Sequence, residues 1–411
     1  MPDALAADVG LTEGPPDGGY GWVCVACCFA LNCFTWGAVS SFGIFLSYYL
    51  SFETFPGARP LDYAFVGGLS FGVAMLVAPL VVLLCQKFNF RVPMYSGALL
   101  LGGGFLASSY ATRTWQLYIS QGALVGSGVG MLYIPTIPIL SQWFDKRRSL
   151  ANGITAAGSG IGGLMFSLTM GASIVSLGHA WSLRIIGIVV LVVNVLSTSF
   201  IRDRGTVARP RHHPFNLRLL MRSDVSLLLM WAFLSMLGYI TLLYSLSDFA
   251  KSIGLSSKQS TQVTALLNLG TALGRPFIGI ISDKYGRFKV ASSLTLFCGL
   301  CCVGIWIPAS SFGVTVLFGI VSGAVLGVFW VTIGPLCVEV VGLQQQPSLL
   351  ALSWLTIVLP TTFSEVIALY LRRPENTRPY LYPQIFSALC YVCASGSLWL
   401  ARKVCKRAPA C

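Results

Sequence analysis

Charge is what this sequence has least of. Asp, Glu, Lys and Arg make up only 10% of its 411 residues, and histidine occurs only at His179, His212 and His213. A soluble domain carries about 25% charged residues to keep its surface wet. The chain therefore lacks the charge to coat a water-soluble particle of its size. Catalytic patterns are missing as well. No P-loop, HExxH or triad-like polar cluster occurs, which argues against an ATP-driven pump and against an enzyme. The pairs Cys24/Cys27, Cys298/Cys301 and Cys390/Cys393 have metal-site spacing. All lie inside apolar runs, where cysteine behaves as a small hydrophobe, so neither metal nor cofactor is expected. The polar, Gly/Pro-rich start of the chain shows no cleavable leader.

What is present is apolar. Hydrophobic residues make up 55% and the mean hydropathy is +0.75. Crossing a bilayer takes about 20 apolar residues in a helix. Such runs occupy 22–50, 64–85, 92–110, 116–143, 149–176 and 183–201, then 226–250, 260–282, 288–308, 312–340, 347–371 and 381–401. The expected fold is an all-α membrane protein of twelve transmembrane helices in two six-helix bundles. Its organisation would be a tail at 1–21, a bundle at 22–201, a linker at 202–225, a bundle at 226–401 and a tail at 402–411.

The net charge of +13 sits in the gaps between runs. It forms no stripe or groove, so nucleic acid is not an expected partner; the lipid bilayer is. One set of gaps holds Lys87, Arg91, the Lys146–Arg148 triplet, Arg202, Arg204, Arg209, Arg211, Arg218, Arg222, Lys284, Arg287, Lys289 and the C-terminal cluster from Arg402 to Arg407. The other holds only Arg59, Arg113, Arg184, Lys251, Lys258, Arg372, Arg373 and Arg378. Basic loops stay in the cytoplasm, so both termini are expected there. The halves also repeat at an offset of 197. Gly122, Gly126 and Gly130 fall on Gly319, Gly323 and Gly327, Pro138 on Pro335, Pro79 on Pro276 and Lys87 on Lys284. Glycines four apart let helix backbones approach closely, and such a face serves either packing or the solute path.

Three segments carry a more specific signal. Asp17-Gly18-Gly19-Tyr20-Gly21-Trp22 precedes the first run. Trp143-Phe144-Asp145-Lys146-Arg147-Arg148-Ser149-Leu150-Ala151-Asn152-Gly153 leads into the fifth and continues to Ala157-Gly158. Gly279-Ile280-Ile281-Ser282-Asp283-Lys284-Tyr285-Gly286-Arg287 closes the eighth. The first two resemble the signature motifs of the monocarboxylate porter (MCT) family, and the third looks like the general loop motif of the major facilitator superfamily. With the Ala-Trp-Ser-Leu-Arg run at 180–184, the chain is most like the fungal branch, which includes nutrient carriers and metabolite exporters. The resemblance implies a secondary carrier in the plasma membrane. Physically, Asp283 and Arg287 belong at a membrane edge, as a charge-assisted latch or as topology anchors. Lys146, Arg147 and Arg148 are candidates for the same role.

Ionisable groups inside spans cost a few kcal/mol and mark solute paths. Arg275, eight residues before Asp283, is the foremost. The resemblance implies that it binds a substrate carboxylate, a task that suits the guanidinium fork; the alternative is a structural arginine bonded to carbonyls freed by Pro276. Two departures from the family stand beside it. Thr271 occupies the place of an aspartate and Ser40 that of a lysine, which argues against lactate-type proton symport. Glu365 is then the candidate proton carrier, with protons as a candidate co-solute, while Glu339 is expected to be structural. Asn32, Asn152 and Asn268 are candidates for the cavity wall or for interhelical bonding. Tyr133, Phe329 and Trp330 would supply apolar lining or core packing. The expected function is movement of a small carboxylate or organic metabolite by alternating access. The alternatives are metabolite efflux without proton coupling and a transport-like solute sensor, for which the tails and linker are too short.

Overall fold

The structure, a computed structural model, describes residues 15–204 and 216–407, apart from positions 41, 43, 44, 46, 47, 50–54, 56, 57, 59 and 374. Arg59, Arg209, Arg211, His212 and His213 lie outside the described residues. Every regular element among the described residues is helical, as lipid requires, because a helix satisfies its own backbone polar groups.

The first span is α1 (Gly21–Phe34) and α2 (Trp36–Ser40), broken at Thr35, where φ is −109° and ψ −82°. The second is α3 (Pro60–Leu76) and α4 (Ala78–Lys87), and the third is α5 (Arg91–Ser108). The fourth comprises α6 (Thr114–Leu117), a π-helical turn (Tyr118–Leu124), α7 (Val125–Tyr133) and α8 (Thr136–Trp143). It is interrupted at Pro135, which lacks the N–H that would continue the ladder. Then come α9 (Arg148–Leu177) and α10 (His179–Phe200).

The second half begins with α11 (Ser223–Ser252), α12 (Ser257–Tyr285) and α13 (Arg287–Cys301). It continues with α14 (Phe312–Leu326), α15 (Val328–Leu371) and α16 (Leu381–Arg407). Ten stretches are long and apolar enough to cross a membrane. One of them, Phe312–Leu371, is two spans that turn back at Gly342, where φ is 76°. The twelfth span is α5, whose glycines Gly102–Gly104 and first residue Arg91 lower its hydropathy.

The halves meet along two seams, α9 against α12 and α3 against α15. Small residues set the first. An added Cβ on Gly153 would strike the Arg275 carbonyl, one on Gly160 would meet Ala272 and Asn268, and one on Gly279 would meet Ser149 and Leu150. A different face of α9, carrying Gly158 and Gly162, lies equally close to Phe29 and Cys33 of α1. Close approach gains dispersion contacts where no hydrophobic effect holds helices together. The repeated glycines mostly serve packing too. Gly126 and Gly130 face Ser70 and Ala74 of α3, and Gly323 faces Leu267 of α12. Gly327 is the exception, because its missing Cβ leaves room for the Arg275 side chain. At one end, the end of the linker, α4, α8 and the stretch of α15 at Pro347 and Leu350 enclose a cavity of about 420 Å³.

Replacing Gly162 with valine forces α1 and α9 apart. The expected cost is about 1–3 kcal/mol, read as a lower midpoint for loss of the monodisperse peak when detergent-solubilised protein is heated. Gly103→Val is the control, since an added Cβ there meets nothing within 4 Å.

Candidate functional site

The three motifs converge at the linker end. Asp17, with φ of 51°, turns its carboxylate onto the loop before α9. It accepts from the backbone N–H of Asp145 (2.8 Å) and Arg147 (3.1 Å), and its own N–H donates to the Trp143 carbonyl. Gly19, with φ of 59°, completes the turn. Gly18 lies nearest the Pro16 carbonyl, and Gly21 admits the Phe144 ring. Trp22 then meets Phe144 edge-on at 4.9 Å. The first motif therefore shapes the second.

One cation finishes that loop. Arg148 is buried, donating to the carbonyls of Phe144 and Ser141 at the end of α8 and pairing with Asp145 at 3.2 Å. A cation suits a helix C-terminus, where carbonyls lack helical partners. Lys146 is exposed.

The third motif reaches across from the other half. The Asp283 carboxylate accepts from the N–H groups of Ser149 (3.0 Å) and Leu150 (2.8 Å), in the first turn of α9. A carboxylate at a helix N-terminus satisfies orphan donors and meets the positive end of the dipole. Arg287 donates to the Asp145 carbonyl at 2.6 Å and lies 3.7 Å from both Asp283 and Glu339. Gly286, with φ of 96°, makes the turn that places it, and Lys284 lies over Tyr285. Gln346 adds a bond to Ser141 at 2.8 Å. These contacts join the two halves at the linker end. Sequence reasoning offered no sign of Gln346, because its partner lies 205 positions away.

Deeper along the same seam stands Arg275, 4% exposed. Its guanidinium does not turn back to carbonyls near Pro276. It donates across the seam to the Ala156 carbonyl and Ser159 hydroxyl of α9. The hydroxyls of Tyr239 and Tyr133 lie beside it. Among the described residues no carboxylate pairs with it, and its Nε has no partner. A buried charge is ordinarily paired.

The other candidates separate into two groups. Asn32 and Asn152 donate to carbonyls one turn back on their own helices, Cys28 at 3.0 Å and Arg148 at 2.9 Å. The Thr271 hydroxyl donates to Leu267 and to Gly323 of α14, so it serves that contact. Ser40 and Asn268 do approach the seam, both meeting α9 at Gly163. The side chain of Glu365 lies outside the described residues.

Tyr133, Phe329 and Trp330 belong to one aromatic cluster. Trp36, Trp354 and Tyr239 join it, with ring centroids 5.2–6.2 Å apart, and Phe71 and Trp231 extend it beside Trp36 and Phe329. Three helix breaks place it. Trp36 follows the break at Thr35, Tyr133 precedes the one at Pro135, and Phe329 and Trp330 follow the one at Gly327. Trp36, Trp354 and Tyr239 carried no signal in sequence, since an aromatic residue in an apolar run has no distinguishing neighbours.

Two latched bundles of six membrane-spanning helices, with a buried cation where they meet, define a membrane transporter that works between its halves. The family model described as Major Facilitator Superfamily matches residues 25–363, and the chain belongs to that superfamily. It is a multi-pass membrane protein and no enzyme. It is 34% identical over 406 residues to a Saccharomyces cerevisiae protein described as probable transporter MCH2, covering 97% of this chain and 86% of that one. It is 27% identical over 326 residues to the aspyridones efflux protein apdF of Emericella nidulans, covering 77% and 65%. The solved proton:xylose symporter XylE shares the fold, with a TM-score of 0.75 at 12% identity over 93% of this chain and 95% of that one.

Replacing Asp283 with alanine leaves the first turn of α9 uncapped. Charge-assisted bonds of this kind contribute about 2 kcal/mol, so opening of the linker end is expected to rise roughly thirtyfold. The readout is maleimide labelling of a cysteine placed at Ile137, which packs against Gly334 of the other half, in a background without the native cysteines. Asp17 is not a pH switch for this latch. Burial pushes its carboxyl up, but the N–H groups of Asp145, Arg147 and Lys146 and the Lys146 charge hold it below its ordinary value. A lowered carboxyl contributes fully above its unfolded value of about 3.9 and is lost only as pH falls through the folded one. Labelling of the Ile137 position, taken relative to an exposed cysteine at the same pH because only the thiolate reacts, is therefore expected to be flat from pH 5 to 8 in wild type and in Asp17→Asn.

Proposed function

We propose that the protein carries organic carboxylates by alternating access, as a member of the monocarboxylate porter type. The observation that carries the reading is the buried, unpaired guanidinium of Arg275 on the moving seam. A solute carboxylate supplies the missing anion in a geometry that suits the fork. In the latched state Arg275 uses α9 oxygens as substitutes. When α9 and α12 part, those bonds break, and a bound carboxylate offsets their loss. Solute binding and seam movement are thereby coupled through one side chain.

The lysine and aspartate of the proton-coupled members are replaced by Ser40 and Thr271, and Thr271 is already engaged within its own half. The proposed cycle therefore runs without that pair, and any proton coupling falls to Glu365. The orientation that the basic loops favour puts both termini and the latch in the cytoplasm, with the plasma membrane as the site of action. The boundaries at 21/22, 201/202, 225/226 and 401/402 divide tails, bundles and linker in this scheme. A second reading, export of a larger metabolite acid, is favoured by the same loss of titratable partners and by the efflux assignment of the Emericella nidulans relative.

The test is uptake of labelled pyruvate and lactate into proteoliposomes, with and without an inward proton gradient. Uptake indifferent to the gradient is expected. It should fall at least tenfold in Arg275→Ala, since removing one partner of a buried charge pair costs about 2–5 kcal/mol. Equal uptake by folded Arg275→Ala protein would sink the carboxylate reading.

A further inference from the structure

The centre of the molecule is filled with rings. Trp36 and Tyr133 from the first half face Trp330 and Trp354 from the second. The centroid distances are 5.9 Å for Trp36–Trp330, 6.2 Å for Tyr133–Trp330 and 5.8 Å for Tyr133–Trp354. Trp330 and Trp354 stack on each other at 6.0 Å with planes 19° apart, and Tyr239 stands 6.2 Å from Trp330. Tyr133 and Trp330 are equivalent positions of the 197-residue repeat. Equivalent positions that touch lie near the pseudo-symmetry axis relating the halves, and this pair does.

Parting the halves at this level separates these rings. Ring pairs contribute beyond their buried area because the negative face of one meets the positive edge of another. A small aliphatic acid cannot replace that contact, whereas a flat ring can. The cluster is also short of acceptors. The indole N–H groups of Trp330 and Trp354 are buried without a partner among the described residues, and so is the Arg275 Nε. Tyr133 and Tyr239 tie the two features together, since each lies beside the guanidinium and each meets Trp330. The site thus presents ring faces and unused donors side by side.

We infer that the solute is a planar aromatic acid, a carboxylate attached directly or through a conjugated arm to a ring. The ring takes the place between Trp36/Tyr133 and Trp330/Trp354, and the carboxylate meets Arg275. This inference rests on the carboxylate reading of Arg275 and narrows it to one class.

Binding is the measurement of choice, because protonated aromatic acids cross lipid unaided and obscure flux. Purified protein in detergent is titrated calorimetrically with cinnamate, benzoate, cyclohexanecarboxylate, benzamide and pyruvate. Cinnamate and benzoate are expected to bind about two- to tenfold tighter than cyclohexanecarboxylate, the factor equivalent to one ring pair, and at least as much tighter than pyruvate. Benzamide, a ring without the charge, is expected not to bind. Trp330→Ala should erase the preference for benzoate over cyclohexanecarboxylate, while Trp330→Phe, which keeps a ring and folds more safely, should retain most of it. Arg275→Ala should abolish binding of both acids. Equal or tighter binding of cyclohexanecarboxylate or pyruvate, lost in Arg275→Ala, would overturn the aromatic inference and leave the carboxylate reading standing. If no acid binds to monodisperse wild-type protein, both fall. Benzamide binding as tightly as benzoate would also overturn the inference.

Discussion

The structure turns on one buried cation that belongs to neither half alone. Arg275 is rooted in α12, yet its hydrogen bonds go to Ala156 and Ser159 of α9. A guanidinium inside a membrane protein is tolerable only if its N–H groups find acceptors, and in this state the other half provides them. Much else follows from making that reach possible. Gly153 and Gly160 bring the α9 backbone close enough, and Gly327 vacates the space through which the side chain passes. The seam between the halves is therefore held in part by hydrogen bonds from the guanidinium of one half to oxygens of the other.

At the linker end the same seam is closed differently. There the partners are backbone N–H groups exposed by the start of α9, and the Asp283 carboxylate covers them. The cap works only if the loop before α9 holds its shape. Asp17 shapes it from the N-terminal side, and Arg148 holds it to the end of α8. Three segments far apart in sequence thus act as one device. Each satisfies polar groups at or beside a helix terminus, and the Asp283 contact joins the two halves.

Much of this was legible in the chain. The spans follow from run length, and the repeat follows from glycines and prolines at one offset. Arg275 and Asp283 stand out because a charge in an apolar run must have a reason. Other assignments depended on neighbours that a sequence does not display. Asn32 and Asn152 were candidates for the cavity wall or for interhelical bonding, and each donates to a carbonyl one turn back on its own helix. Thr271, a candidate for the solute site, bonds to Gly323 of α14. Trp36, Trp354 and Tyr239 were indistinguishable from packing residues until helix breaks at Thr35 and Gly327 were seen to turn them and their neighbours toward one another.

The sequence by itself determined that the chain lives in lipid, that it crosses twelve times and that its halves are copies. Those properties are sums over local composition, since each apolar run of sufficient length is driven out of water whatever surrounds it. Only the tertiary structure decided which polar groups are spent and which are left to act. The unpaired Nε of Arg275 and the idle indole N–H groups of Trp330 and Trp354 are defined by what lies within hydrogen-bonding distance. Those distances exist only once the two halves have closed on each other.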